Sequence, residues 1–376
     1  MNFEFSDEQL MLREQARGFL SQHCPPSSVR HILDSDLTYD QSLWQKVADM
    51  GWMATTIPET YGGLGLGYYE LAIIAEEMGR AVAPLPFSSS VYLASEALLA
   101  FANDEQKARW LPRLASGELI ATFALTEGPG VASAAGTKLA FKDGLLAGSK
   151  APVPDAGCAH LLVTTAKDAA GQLLLCACEL DQSAVGITPV RTLDFSRDHS
   201  IVTFNNACTE TLGNAVEWSH IEALLDRAAV LFAWEQIGVA DKALETACDY
   251  AKQRYAFGRA IGSFQAIKHK LAGMYVKNTL ARSNAYFGAW ALASDSEQLP
   301  LAAATARVAA IQASLLATQE NIQTHGGMGF TWEFDCQFYY RRAKLLSLAI
   351  GSERHWQDRL VTGLEQQDAT STSSAA

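Results

Sequence analysis

The chain has 376 residues, of which 49% are hydrophobic and 19% are charged, so it can bury a large core, and a disordered or fibrous protein is excluded. Its formal net charge of -12 opposes binding to nucleic acid or anionic lipid, because both depend on concentrated lysine and arginine. We therefore expect neither nucleic acid nor a membrane as a partner.

The sequence predicts a cytoplasmic protein with reduced thiols. The opening MNFEFSDEQLMLREQARGFL alternates acidic and apolar residues, whereas a secretory signal joins a basic stretch to an apolar one. No uninterrupted run of about 18 apolar residues is present to span a bilayer. The 7 cysteines are scattered, and Cys176 with Cys178 lacks the second close pair that a zinc site would need, so no metal site is predicted.

Residues 1–117 predict an α-helical N-terminal domain. Ser6, with acidic and amide residues behind it, is a candidate helix cap, and apolar residues recur after it at helical spacing. A glycine-rich loop, TIPETYGGLGLGYYE, interrupts the helices. Further along, Asn103 is a candidate N-cap and Gly117 a stop signal.

Residues 118–216 predict a middle domain of antiparallel β-strands, because apolar runs such as HLLVTTA and QLLLCACEL are separated by Asp-Gly and Ala-Gly turns. Helical periodicity returns over residues 217–365 and predicts a C-terminal helical domain. The tail QQDATSTSSAA, residues 366–376, has no apolar pattern and predicts disorder. The predicted fold class is therefore α+β with several domains.

One segment of the C-terminal region resembles a known family signature. YAKQRYAFGRAIGSFQAIKHKLAGM, residues 250–274, is similar to the signature of acyl-CoA dehydrogenases. The segments SDEQLMLREQARGFL, PETYGGLG, ATFALTE and QTHGGMGF follow the order and spacing of that family, so the resemblance covers almost the whole chain. It implies an FAD-dependent enzyme of the acyl-CoA dehydrogenase fold, in which the C-terminal domain is a four-helix bundle.

The signature contains residues suited to a nucleotide cofactor. Arg254 and Phe257 are three residues apart, so on a helix they would share a face, with the guanidinium against a pyrophosphate and the ring against an apolar part of the cofactor. Taken alone, the pair would be better explained by an ordinary surface arginine and a core phenylalanine, and the surrounding motif reverses that preference. In the QTHGGMGF segment, consecutive glycines let the backbone approach a bound group closely.

In the family, matching residues reach across a dimer interface to the FAD of the neighbouring subunit. The resemblance implies this role for six residues: Arg254, Phe257, Gln265, Gln323, Gly326 and Gly327. Thr126 in ATFALTE matches the family threonine that hydrogen-bonds the flavin ring. The competing interpretation of Thr126 is a strand-end threonine that satisfies a backbone group.

Four positions depart from the family on the chain's own flavin side. Val131 and Ala132 replace a glycine and a serine of the turn after the threonine, and a valine takes positive φ only at a cost. Pro152 and Pro154 replace the tryptophan beside the flavin and a threonine. The motifs that would reach the FAD of a neighbouring subunit are thus intact, whereas several residues that would contact the chain's own flavin are replaced.

The family's catalytic base is also absent. Acyl-CoA dehydrogenases remove the α-proton of the thioester with a glutamate that in many members precedes a Gly-Thr pair, and the residue at that position here is Ile350, which cannot take a proton. Some relatives place the glutamate on an earlier helix, at a position corresponding to Ala228. Asp226 and Glu235 are weak substitutes, and a solvated or helix-pairing carboxylate is the competing interpretation of both. Two further carboxylates have weaker geometry still: Glu333 and Glu353.

The overall pattern resembles the divergent bacterial acyl-CoA dehydrogenases of steroid side-chain degradation, several of which are α2β2 heterotetramers. The first hypothesis is α,β-dehydrogenation of a bulky acyl-CoA, with FAD at a subunit interface and electrons passed to an electron-transfer flavoprotein. The second is a catalytically silent chain that completes another subunit's site, in a homo- or hetero-oligomer. The third is a flavin monooxygenase on the same fold. His269 and His325 are expected to be structural, because neither has a second ligand at metal spacing.

Overall fold

The computed structural model describes the chain from Phe5 to Ser374, with side chains described as far as Gln367. Contacts divide it into two compact units. Among the described residues, the first unit comprises those up to Pro26, Tyr68–Ala83 and those from Ala229 onward. The second comprises Ser27–Gly67 and Pro84–Ala228. The three predicted domain ranges divide the chain by secondary structure type, and they stay a prediction.

The first third is helical, as predicted, with six α-helices: α1 Asp7–His23, α2 Pro26–Leu33, α3 Gln41–Asp49, α4 Tyr68–Arg80, α5 Glu96–Phe101 and α6 Asp104–Ala115. Ser6 and Asn103 both form capping boxes, with Gln9 and Gln106 as their partners, so the two predicted caps are confirmed. A buried π-helix, Ser88–Ser95, lies between α4 and α5.

The middle region forms an eight-stranded sheet in the order β6-β7-β3-β2-β4-β5-β8, with β1 beside β4. Its strands are β1 Ala121–Ala124, β2 Ala140–Lys142, β3 Leu145–Pro154, β4 Leu161–Lys167, β5 Leu173–Glu179, β6 Val185–Pro189, β7 His199–Cys208 and β8 Glu210–Thr211. The predicted β domain is confirmed, but not as purely antiparallel, because β4 pairs in parallel with β1 and β2. The chain between β1 and β4 is long enough for such pairing, which no hairpin could provide.

The rest of the chain is helical: α7 Trp218–Gln253, α8 Gln265–Ala293, α9 Leu299–His325, α10 Cys336–Leu346 and α11 Glu353–Ser374. Where the resemblance implied a bundle of four helices, the described part of this region has three long helices and two shorter ones. Breaks at Gly326–Phe330 and at Ile350–Gly351 separate the last three. Helix α11 includes residues 366–374, for which the sequence predicted disorder, and residues 375–376 lie outside the described residues.

Helix α9 with the following turn, Leu299–Phe330, is long and apolar enough to cross a membrane by length and composition, with a mean hydropathy of 1.4 over its best window. More than half of that window is buried inside the protein, where α9 packs against α8, α10 and α11. Arg307 also lies fully buried on this helix. These are the properties of a central core helix.

Helices α4 and α7 cross in backbone contact within the first unit. A Cβ atom on Gly79 would lie 1.9 Å from the carbonyl oxygen of Glu235, and one on Gly238 would lie 1.9 Å from the carbonyl oxygen of Glu76. Only glycine permits this approach. The crossing fixes the position of Glu235, one of the two candidate bases on α7.

Candidate functional site

A cleft of about 450 Å³ opens in the first unit where helices α7 and α9 end. It brings together Arg254 and the glycine pair Gly326 and Gly327, which the sequence singled out in two separate motifs. The residues that line it are Tyr250, Arg254, Ile261, Thr324, His325, Gly326, Gly327 and Met328.

The glycine pair presents open backbone to the cleft. Gly326 ends α9 with φ 62° and ψ -137°, a combination that is essentially restricted to glycine. No atom lies within 4 Å of the place where a Cβ would stand on Gly326 or Gly327. A bound group can therefore approach this peptide segment closely, as the sequence predicted.

The Arg254 guanidinium is exposed at the end of α7. Its backbone is fixed on both sides, since its N–H donates to Tyr250 at 2.8 Å and its carbonyl accepts from Ile261 at 2.8 Å. Among the described residues, no carboxylate pairs with its side chain. The positive charge is therefore available to an anion in the cleft.

Phe257 does not share a helix face with Arg254, so that prediction is wrong. Helix α7 stops at Gln253, and a short hairpin follows, with strands β9 Tyr255–Ala256 and β10 Arg259–Ala260. Phe257 and Gly258 at its tip have φ of 52° and 78°, the pattern of a type I′ turn, which ends the helix. Phe257 is 96% exposed and lies outside the cleft, its ring edge-on to Phe264 at 6.3 Å.

Gln265 and Gln323 are both exposed, on the first turn of α8 and the last turn of α9. The backbone carbonyl of Gln323 accepts the N–H of Gly326 and so caps α9. Neither side chain lines the cleft. Their contacts with FAD therefore stay a prediction.

In the second unit, Thr126 follows strand β1 and its hydroxyl donates to the carbonyl of Pro152 at 3.3 Å. The backbone beside it is also paired, with the N–H of Ala151 donating to the carbonyl of Thr126 at 2.9 Å. This geometry fits the competing interpretation of Thr126, a strand-end threonine that satisfies a backbone group. Val131 is exposed and is not in a positive-φ conformation, because Gly128 and Gly130 take that role in this turn.

Sequence reasoning missed a buried ion pair beside Thr126. The ammonium of Lys150, a fully buried side chain on β3, lies 2.8 Å from a carboxylate oxygen of Glu127. Glu127 also accepts the N–H groups of Lys138 and Leu139, at 2.8 and 3.1 Å. Burial lowers the pKa of Lys150, while Glu127 opposes the shift. The signal that could have found the pair is a lysine within an otherwise apolar strand pattern.

Ile350 stands in a strained turn between α10 and α11. Its φ is 53°, a value that a β-branched residue rarely adopts, and Gly351 follows at 127°. The fully buried Arg307 holds this turn, because its guanidinium donates to the carbonyls of Leu346 and Ala349, the latter at 2.8 Å, and to the amide oxygen of Gln236. Burial lowers the pKa of Arg307. Hydrogen bonds to main-chain carbonyls thus hold the turn, and the side chain of Ile350 offers no proton acceptor.

The alternative carboxylates lie in different surroundings. Glu235 is buried at the crossing of α4 and α7, 3.6 Å from Arg342, which supports a helix-pairing carboxylate. Asp226, on the same helix, is also buried. Glu353 accepts hydrogen bonds from two glutamine amides, each at 2.9 Å, and Glu333 is exposed. No carboxylate lines the cleft among the residues described.

The two histidines have different surroundings. His269 is exposed on α8, whereas His325 is buried at the edge of the cleft. Within the described part of the chain, no three histidine, cysteine, aspartate or glutamate side chains come together as metal ligands would.

Comparisons with known proteins agree with the five motifs. The N-terminal domain of acyl-CoA dehydrogenase matches residues 6–118, and its C-terminal domain matches residues 218–358. The acyl-CoA dehydrogenase IpdE2 of Mycobacterium tuberculosis (strain ATCC 25618 / H37Rv) is 34% identical over 357 residues, 94% of this chain and 96% of that protein. This chain belongs to the acyl-CoA dehydrogenase family. Members of this family are oxidoreductases.

Solved structures share the architecture of this acyl-CoA dehydrogenase. The Tcur3481-Tcur3483 steroid ACAD G363A variant has a TM-score of 0.88 and 28% identity, over 96% of this chain and 99% of that one. The ChsE4-ChsE5 complex from Mycobacterium tuberculosis has a TM-score of 0.89 at 24% identity, over 97% and 99%, and at that identity it shows the fold alone. The predicted family and fold class are therefore confirmed.

Proposed function

We propose that this chain takes part in FAD-dependent α,β-dehydrogenation of an acyl-CoA thioester with a bulky acyl group. The observation that carries the proposal is the cleft where the free guanidinium of Arg254 meets the open backbone of Gly326 and Gly327. A cation beside accessible peptide groups fits a diphosphate. When bound, FAD supplies the acceptor for the hydride that leaves the substrate.

The FAD lies at an interface between subunits in this proposal. Gln265, Gln323 and Phe257 are exposed and do not line the cleft, which leaves them accessible to a second chain or its cofactor. Helix α8 also exposes large apolar side chains, with Tyr275, Val276 and Leu280 between 54% and 63% exposed. An apolar surface of this kind on a single chain favours a protein partner. We propose that another chain of the same fold covers this surface of α8.

The second candidate is a chain that is catalytically silent by itself, and Ile350 is the observation that favours it. The turn keeps its conformation through Arg307, yet no proton acceptor stands on it. In this version a base-bearing partner subunit performs the proton abstraction, and this chain completes the cofactor site. The steroid-type acyl group is suggested by the steroid ACAD among the similar structures.

Purification of the chain alone, and together with a base-bearing dehydrogenase subunit, tests these proposals. Native mass spectrometry gives the assembly and absorbance at flavin wavelengths gives the FAD content. We expect flavin to be retained only in the oligomer, to bleach on addition of a bulky acyl-CoA, and to be reoxidised by an electron-transfer flavoprotein. Bleaching by the chain alone would reject the silent version, and colourless protein in every assembly would reject FAD binding. Oxygen consumption dependent on reduced free flavin would instead indicate a monooxygenase.

A further inference from the structure

His325 is the buried member of the cleft that the proposed function does not use. It is the last residue of α9, directly before the glycine pair, and only 5% of it is exposed. Its ring stacks on Tyr250 of α7 at 4.0 Å between centroids and meets Phe334 edge-on at 5.7 Å. Two aromatic contacts from different elements therefore fix the ring plane.

The hydrogen bond of the ring assigns its tautomer. Nδ1 lies 2.8 Å from the backbone carbonyl oxygen of Asn321, and because a carbonyl can only accept, Nδ1 must carry the proton. In a neutral ring the other nitrogen, Nε2, is then a hydrogen-bond acceptor. Among the described residues Nε2 has no hydrogen-bond partner, and the residue lines the cleft.

The surroundings keep the ring neutral. Burial lowers the pKa of His325, against the smaller opposing effect of its bond to Asn321, and no charged side chain contributes to the shift. The titratable or charged groups on the neighbouring segments are Tyr250, Lys252 and Arg254 at the end of α7, Glu333 and Asp335 before α10, Cys336 at its start, and Glu320 on α9 itself. Glu320 is paired with Lys270 at 2.6 Å.

We propose that Nε2 of His325 accepts a hydrogen bond from a hydroxyl of the nucleotide in this cleft, beside the diphosphate held by Arg254 and the glycine pair. This inference rests on the proposed function, and it assigns His325 a binding role that is additional to its packing. It also predicts the direction in which FAD affinity changes with pH. A hydroxyl can also accept from a protonated Nε2, so the direction comes from burial. Bound FAD covers the ring, and because burial disfavours the charged form, FAD affinity falls as pH falls through the pKa of the free histidine, which lies below its ordinary value of 6.5. A diphosphate at Nε2 would give the opposite direction, since a positive ring attracts it.

The test measures the Kd for FAD of the deflavinated protein, in the assembly in which it purifies, at pH values from about 5 to 8. Two variants separate the two ring nitrogens. In His325→Asn the short amide can still donate to the Asn321 carbonyl but does not reach the cleft. In His325→Gln the longer amide offers an oxygen where Nε2 stands. Thermal unfolding of each variant controls for a purely structural role.

For the wild type we expect FAD to bind several-fold more weakly at the acidic end. For His325→Asn we expect a Kd raised about 2- to 10-fold at neutral pH and little change with pH. His325→Gln should lie closer to the wild type at neutral pH and also lose the pH dependence. Tighter binding by the wild type at low pH, or a Kd for His325→Asn equal to that of the wild type, would overturn the inference and leave the proposed function standing. Absence of FAD binding by the wild type at every pH would overturn the proposed function itself.

Discussion

Gly238→Ala should destabilise the first unit, because it adds one carbon at the crossing of α4 and α7. The new Cβ would lie 1.9 Å from the Glu76 carbonyl oxygen and 2.8 Å from the Arg80 nitrogen. Cβ atoms essentially never approach within 3.0 Å, so the helices would have to separate by at least about 1.1 Å, the difference between 3.0 and 1.9. The obstacle is main chain, and no side chain can rotate to give way.

The magnitude follows from two opposing effects. Overpacking of a core costs about 1–3 kcal/mol, and the backbone obstacle places this site at the upper end. Replacement of a mid-helix glycine by alanine returns up to about 1 kcal/mol. We therefore expect a net loss of about 2 kcal/mol.

Gly18→Ala is the matched control, since Gly18 also lies within a helix, α1, and is exposed with no atom within 4 Å of the added carbon. It should gain up to about 1 kcal/mol, which leaves the two variants about 3 kcal/mol apart. At roughly 2 °C per kcal/mol for large domains, their melting temperatures should differ by about 6 °C, measured by differential scanning fluorimetry. A Gly238→Ala protein that melts at or above the wild type would refute the reasoning.

Three further substitutions test the site and its support. Arg254→Ala should weaken FAD binding about tenfold or more and leave the melting temperature unchanged, because the side chain is exposed; an unchanged Kd in a flavin titration would contradict its role. Arg307→Met should lower the free energy of unfolding in guanidinium by about 3 kcal/mol, since it leaves buried carbonyls unpaired; a wild-type unfolding curve would count against this. Leu280→Glu should shift the native mass towards the single chain, while Met11→Glu on α1, at 61% exposed, should not; equal effects would remove α8 from the interface.

Features governed by neighbours in sequence were predictable. Ser6 and Asn103 cap their helices because a capping box needs only the residue three positions on. The glycines at the end of α9 open the backbone because their conformation is local. The meeting of Arg254 with Gly326 could be anticipated only from the family resemblance, since no spacing rule joins two motifs so far apart.

Features that depend on tertiary packing were not predictable. A helix-pairing role for Glu235 was among the interpretations, but its neighbours Gly79 and Arg342 reach it from other helices and could not be named from the sequence. Phe257 is a different case, because its spacing from Arg254 suits a helix, whereas α7 ends at Gln253 and a local two-residue turn, Phe257–Gly258, follows. Lys150 in a strand signals that it needs a buried partner, but nothing in the sequence identifies Glu127 as that partner.

Because Arg307 donates hydrogen bonds to main-chain oxygens, the support of this turn and the chemistry of the side chain at its tip depend on different residues. Arg307 bonds main-chain oxygens whatever side chain follows Ala349, so these hydrogen bonds place no requirement on the chemistry displayed there, and the positive φ of residue 350 is a separate constraint. An isoleucine in place of a proton acceptor at this position therefore leaves the hydrogen bonds that hold the turn intact.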